Sequence, residues 1–353
     1  MARLPRNDPA SSKPRYTPTM ARGARRRRGP LWRVRWWFEF AALRGIRCAV
    51  IALPHSWRLA LGRGIGRTAF LLDRRHARVA MENLAAAYPQ QNARWHRRTA
   101  REVFAHLGRL LVEILVARQE LHRLSARTHI EGLEHLHSVL AAGRGYFLLS
   151  GHFGNWEWVA LLQGLLGHPL WMVARALTNP HLEKWFADTR QASGNRVVHK
   201  HNALREIVKG LKEGRGIAFV VDQYFPERGA HVVPFFGRAA ATTPALGALA
   251  VRMMVPVLPV FAYPQEDGSY RVRYEEPIWP DPKVDPEAAA MDLTLEATSR
   301  IERAVRSQPT AWFWVHRRWR KPHPEAPVAP VDQPKMVPNS RPDTPAMKVT
   351  RTT

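Results

Sequence analysis

From about residue 128 onward the chain repeats one alternation, and that alternation restricts its fold more than any other feature. Short apolar runs (THIEGLEHL, GYFLLS, HPLWMVA, NRVV, GIAFVV and PVLPVF) are separated by stretches of helical pattern at 179–193, 202–213 and 287–306. Strands alternating with helices call for an α/β fold, a central mostly parallel sheet flanked by helices. Upstream, Val103, Leu107, Leu110, Leu111 and Ile114 recur at helical spacing and predict an amphipathic helix over 94–118. No internal repeat is visible.

The front of the chain reads differently. Residues 1–30 are rich in Pro, Ser and Arg, end in Arg25-Arg26-Arg27-Arg28, and read as a disordered basic arm. From Leu31 to about Leu72 the chain is apolar but dotted with arginine. Arg44 and Arg47 interrupt the better candidate for a spanning helix and Pro54 ends it. An interfacial, membrane-associating helical segment over 31–72 is expected, with Trp36, Trp37, Phe40 and Leu43 toward lipid and a short tilted span as the alternative. No small-residue cleavage site follows, which argues against a cleaved signal peptide. The main domain is expected over 73–321, and 322–353, rich in Pro and polar residues, as a disordered tail.

Charge narrows the partners. The formal net charge is +25, and residues 1–37 hold 11 Lys/Arg against the single acid Asp8. The excess therefore extends into the body, and such a surface attracts nucleic acid, anionic lipid or an acidic carrier protein. Thirteen Trp tilt that choice toward a bilayer surface. Nucleic acid is disfavoured, because the basic residues are dispersed and no zinc-finger or helix-turn-helix spacing occurs. The single cysteine, Cys48, excludes an internal disulfide and reads as packing.

The segment GYFLLSGHFGNWEW, Gly145 to Trp158, carries the chemistry. A buried strand runs into Ser150-Gly151, and His152 precedes a helix expected to begin near Asn155. Catalytic groups in open α/β sheets gather at such strand ends. On one helix a five-residue step turns about 500°, so His152 and Glu157 would not share a face. They meet only if His152 sits in the turn and Glu157 folds back from the first helical turn. A carboxylate would then orient an imidazole base; the plainer reading is a capping histidine beside a solvated glutamate. Gly151 and Gly154 allow close backbone approach, and N–H groups at the helix start could hold an oxyanion. No metal is expected, since no second His or Cys stands at ligand spacing and His168, His199 and His201 would approach only through the fold.

Several blocks in order resemble the bacterial lipid A biosynthesis (lauroyl/myristoyl) acyltransferases, within the wider glycerolipid acyltransferase superfamily. They are NLAAAYP (Asn83–Pro89), Ile130–Glu134, SGHFGNWEW with its HxxxxE signature, and RALTNPHLEKWFADTR with Arg175 and Arg190. Asp222-Gln223 with VPFFGRAAATTPALGALA, VPVLPVF and WFWVHRRW (Trp312–Trp319) complete the series over roughly 78–320.

The resemblance implies an O-acyltransferase, with 73–321 as its acyltransferase domain and no cofactor. It implies His152 as the general base and Glu157 as its orienting partner. The implied substrate-binding residues are Arg175, Asp222, Gln223, Gly154, Asn155, Phe236 and Gly237. Residue by residue, plainer roles stand beside these: a surface ion pair for Arg175, a structural turn for Asp222, core packing for Phe235-Phe236-Gly237, and a structural His316. The implied donor is an acyl thioester, carried by acyl-carrier protein, with coenzyme A as the alternative. The implied acceptor is a hydroxyl of a lipid A precursor or related glycolipid, with a lysophospholipid, aminolipid or phosphatidylinositol mannoside as alternatives. The expected location is the cytoplasmic face of the inner membrane. A basic nucleic-acid-binding protein and a non-catalytic membrane protein are the rival classes.

Overall fold

The computed structural model describes residues 30–199, 203–321 and 327–329 of the chain. The arm expected at 1–30 and the tail at 322–353 therefore fall almost wholly outside the described residues, as does His201.

Helices come first: α1 (Pro30–Ala52), α2 (His55–Leu72), α3 (Arg74–Ala87), α4 (Ala93–Val116) and the single turn α5 (Leu121–Leu124). Then strands and helices alternate: β1 (Thr128–Glu131), α6 (Leu133–Ala141), β2 (Tyr146–Ser150), α7 (Trp156–Leu165) and β3 (Leu170–Ala174). Next are α8 (Pro180–Arg190), β4 (Arg196–His199), α9 (Ala203–Lys212) and β5 (Gly216–Val220). A hairpin of β6 (His231–Phe235) and β7 (Arg238–Thr242) follows, then α10 (Ala245–Met253), β8 (Val257–Pro264), β9 (Tyr270–Tyr274) and α11 (Pro286–Ser307).

Among the described residues the main sheet has the order β1-β9-β8-β2-β5-β3-β4. Every neighbouring pair is parallel except β8 and β9. The mostly parallel sheet expected from the alternation is thus present, and β2 lies at its centre with all five residues buried. The β6–β7 hairpin and β9 had no counterpart among the expected strands.

The arginine-dotted front splits at Pro54 into α1 and α2. Arg58 explains why the corner holds: it is buried and donates to the carbonyls of Leu53 and Ile51 and to Glu120. Helix α2 lies so close to α4 that a Cβ at Gly66 would fall 1.9 Å from the Phe104 carbonyl oxygen. No helix among the described residues is long and apolar enough to cross a membrane.

Helix α1 presents a different face from the expected one. Phe40 stacks on His181 and Leu43 packs against buried Val50, Val112 and Leu115, so both turn inward. Of the four residues expected toward lipid Trp37 is exposed, alongside Leu31, Trp32, Val34, Phe38 and Ile46. The reason is contact with α8, where Asn179 donates to the Trp36 carbonyl and to Glu39. Cys48 is likewise exposed rather than packed.

Candidate active site

The parallel register of two central strands builds the site. Ser150, last in β2, pairs with Val220, last in β5. His152 and Asp222 each lie two residues beyond that pair, so they emerge side by side at the carboxyl edge of the sheet. The His152 Nδ1–H donates to Asp222 Oδ1 at 2.7 Å. Asp222 Oδ2 accepts the His152 backbone N–H at 2.6 Å and the Trp312 indole N–H at 2.8 Å. One carboxylate therefore holds both the ring and the backbone of the turn.

With the proton on Nδ1, the Nε2 lone pair is left for chemistry, and the Gln223 amide nitrogen lies 3.3 Å from it. Burial alone would push the imidazole downward, but the charge and hydrogen bond of Asp222 outweigh it, and Glu157 adds a smaller push. The net pKa is raised above the ordinary histidine value. Asp222 is almost fully buried. Burial would raise its pKa, yet His152, then His316 and the Trp312 N–H, hold it well below the usual carboxylate range.

The expected His152–Glu157 pair is not formed. Glu157 sits in the first turn of α7 and its carboxylate accepts from Arg190 of α8, with Nε at 2.9 Å and Nη2 at 2.5 Å. Burial would lower the Arg190 pKa, but Glu157 keeps it raised. The hydrogen-bonding partner of His152 is Asp222, because neighbouring strands bring the two together while α7 carries Glu157 toward α8.

A cleft of about 470 Å³ opens at this edge, lined by His152, Glu157, Arg190, Gln223 and Arg175. Leu148, Val159, Ala160, Met172, Ala218 and Phe219 give it apolar walls. Arg175 lines the cleft, is exposed and forms no ion pair among the described residues.

Four residues expected to bind substrate are placed elsewhere. Asn155 is buried; its Oδ1 caps Trp158 N–H at 2.9 Å and its Nδ2 donates to Glu113 at 3.0 Å. Gly154 has φ +56°, and a Cβ there would fall 1.6 Å from the Ala262 carbonyl oxygen. It meets a strand backbone rather than a ligand. Phe236 and Gly237 form the tip of the β6–β7 hairpin, where Phe236 packs against Tyr88, Trp314 and Arg306. The backbone donors expected to hold an oxyanion are partly committed too: Gly154 N–H binds Ala311 O, and those of His152 and Trp158 are used as above.

Two supports of the turn had no sequence reading as such. His106 of α4 donates from Nε2 to the Gly154 carbonyl at 3.0 Å; burial pushes its pKa down to about 4 despite that bond, so the ring is neutral. The segment 311–316 pairs with the turn: Phe153 bridges Trp312, and Phe313 N–H donates to His152 O. Among the described residues no group of three or more His, Cys, Asp or Glu is gathered as a metal would require.

Comparison with known proteins adds the family context. The sequence profile described as bacterial lipid A biosynthesis acyltransferase matches residues 28–321. A lipid A biosynthesis lauroyltransferase of Escherichia coli is 27% identical over 289 residues, covering 81% of this chain and 92% of that protein. A lipid A biosynthesis palmitoleoyltransferase of the same organism is 28% identical over 289 residues, again 81% and 92%. A phosphatidylinositol mannoside acyltransferase of Mycolicibacterium smegmatis is 24% identical over 202 residues, covering 56% of this chain and 64% of that protein.

Proposed function

Because the chain belongs to the bacterial lipid A biosynthesis acyltransferase family and is an acyltransferase, we propose that His152 is the base that moves an acyl group from a thioester to a lipid hydroxyl. The observation carrying this reading is the imidazole fixed by Asp222 at Nδ1, with Nε2 at the edge of a cleft with apolar walls, where the side-chain amide of Gln223 is its neighbour. An acceptor hydroxyl takes the place beside Nε2 that the Gln223 amide holds, and gives up its proton there as its oxygen bonds to the thioester carbon. Asp222 stabilises the resulting imidazolium. Collapse of the tetrahedral intermediate breaks the C–S bond, and the proton passes from Nε2 to the departing sulfur. The products are an ester and a free thiol.

The apolar walls suit an acyl chain, and Arg175 at the rim suits a phosphate on the acceptor. A lipid A precursor or related glycolipid is the acceptor this favours; the match to a phosphatidylinositol mannoside acyltransferase keeps that lipid class as the second reading. The donor is an acidic acyl-carrier protein. Phe313, whose ring centroid lies 6.0 Å from that of His152, lines a second cleft of about 500 Å³ that also carries Arg75, Arg317 and Arg320, with His76 paired to Asp73. The exposed Leu31, Trp37, Phe38 and Trp57 among the arginines of α1 and α2 support attachment to an anionic bilayer surface, at the cytoplasmic face of the inner membrane.

The test is transfer of a labelled acyl group from acyl-carrier protein to a panel of lipid acceptors, with His152→Ala alongside. Transfer to one acceptor that vanishes in the folded variant supports the reading. Wild-type rates in purified His152→Ala would overturn it.

A further inference from the structure

The segment after α11 does more than fill the core. Trp312 is fully buried, and its indole N–H ends on Asp222 Oδ2, the oxygen that also accepts the His152 backbone N–H. Its backbone meanwhile bridges Phe153, and its neighbour Phe313 donates to His152 O. His316 places Nε2 3.2 Å from the Asp222 carbonyl oxygen. Arg318, also fully buried, donates to the Gln223 carbonyl at 3.2 Å and anchors on Ala241 O and Thr242 Oγ1. The two residues that hydrogen-bond the His152 imidazole, Asp222 and Gln223, are thus held from behind by one strap.

The part of this strap that reaches a charged group is the indole. A carboxylate with one oxygen free to rotate would face His152 with either lobe. Here Oδ2 is occupied by two N–H donors, which leaves Oδ1 alone to take the Nδ1 proton. A buried tryptophan needs a partner for its N–H, and this one finds it on an ion, the stronger kind of hydrogen bond.

We propose that Trp312 is a positioning residue, whose indole N–H fixes the Asp222 carboxylate and moderates its pull on the His152 proton. The proposal rests on the reading of His152 as the base. Removing the N–H leaves Asp222 a stronger proton acceptor, so His152 holds its proton to higher pH and less of it is available as a base. The other titratable and charged groups facing the pair are Glu157 with its partner Arg190 from α7 and α8, and His316 and Arg318 from the strap. None of them changes in the test.

The variant is Trp312 replaced by β-(3-benzothienyl)alanine, which keeps the bicyclic shape and puts sulfur where the N–H was. Trp312→Phe is run beside it as the variant that also leaves a void. Two quantities are read: transfer kinetics with an acyl-pantetheine donor across pH, and the titration of His152 by NMR with labelled histidine, assigned by the loss of its signal in His152→Ala. The isosteric variant should lower kcat about tenfold to a hundredfold and leave KM within about twofold. It should also raise the His152 midpoint by roughly one to two units, the shift that a tenfold to hundredfold loss of the base form below the midpoint requires. A kcat within about twofold of wild type with an unmoved His152 midpoint, at an unchanged Tm, would overturn the proposal. The titration needs no turnover, so it judges Trp312 separately from the reading of the reaction. Losses confined to Trp312→Phe and accompanied by a lower Tm would assign the residue to packing alone and overturn it equally.

Discussion

Replacing Asp222 by Asn separates two carboxylates that could each serve as the partner of His152. In the native site Oδ2 accepts two N–H groups, from His152 at 2.6 Å and Trp312 at 2.8 Å, while Oδ1 accepts the Nδ1 proton at 2.7 Å. The single oxygen of an asparagine must face the two donors, because an amide NH2 there would oppose both. Its NH2 then points at His152 Nδ1 and donates to it. A neutral imidazole in that pairing carries its proton on Nε2, the atom that has to accept one. The variant therefore loses the tautomer as well as the charge that stabilises imidazolium. Together these should lower kcat about 10³–10⁴-fold, roughly 4–5.5 kcal/mol on the barrier, with little change in KM. The pH dependence has a definite sign. His152 has a raised pKa, so the base form accumulates as pH rises through a midpoint above the ordinary value of about 6.5. Removing Asp222 lowers that midpoint and shifts residual activity toward acid. Glu157→Gln instead breaks the pair with Arg190, and should cost kcat less than about tenfold while leaving the midpoint near its native position. Initial rates from an acyl-pantetheine donor to a lipid hydroxyl between pH 5 and 9 supply both numbers. If Glu157→Gln removed most of kcat and Asp222→Asn kept more than a tenth of it, the argument from strand register would be refuted.

Gly154→Ala should destabilise the fold by about 2–5 kcal/mol, through strain at positive φ and overlap with the strand backbone. Urea denaturation measures it, and an unchanged midpoint would show that the turn yields. His106 should make stability fall as the solution is acidified. Its folded pKa is about 4, so between an unfolded value near 6.5 and 4 only the unfolded chain takes up its proton. The contribution is complete above pH 6.5, is lost as pH falls toward 4, and amounts to about 3 kcal/mol. The slope of unfolding free energy against pH should flatten in His106→Gln; an equal slope would remove His106 as its source.

The sheet and most of its helices were legible because period and length are local properties. GYFLLS, GIAFVV and PVLPVF are short, apolar and bounded by turn residues, and they form β2, β5 and β8. The 3.6-residue stripe expected over 94–118 forms α4, Ala93–Val116. The hairpin at 231–242 carries no such signal, because RAAAT lacks the alternation of a half-buried strand. For the site, His152 was found from its place after a buried strand. Asp222 has the same signal, ending an apolar strand, but nothing in a linear sequence says which strands are neighbours.

The sequence by itself determined the fold class, the importance of the turn after β2 and the family to which the chain belongs, since each depends on residues close in the chain or in ordered blocks. Tertiary structure decided the partnerships. The order β8-β2-β5-β3 sets Asp222 rather than Glu157 beside His152, and the packing of α7 on α8 gives Glu157 to Arg190. It also turned Asn155, Gly154 and Phe236 into supports and brought Trp312 back across 90 residues to Asp222. The physical reason is the same in each case. A buried carboxylate, amide or indole N–H must find its partner wherever the chain returns, and the return is set by sheet order and helix packing rather than by spacing.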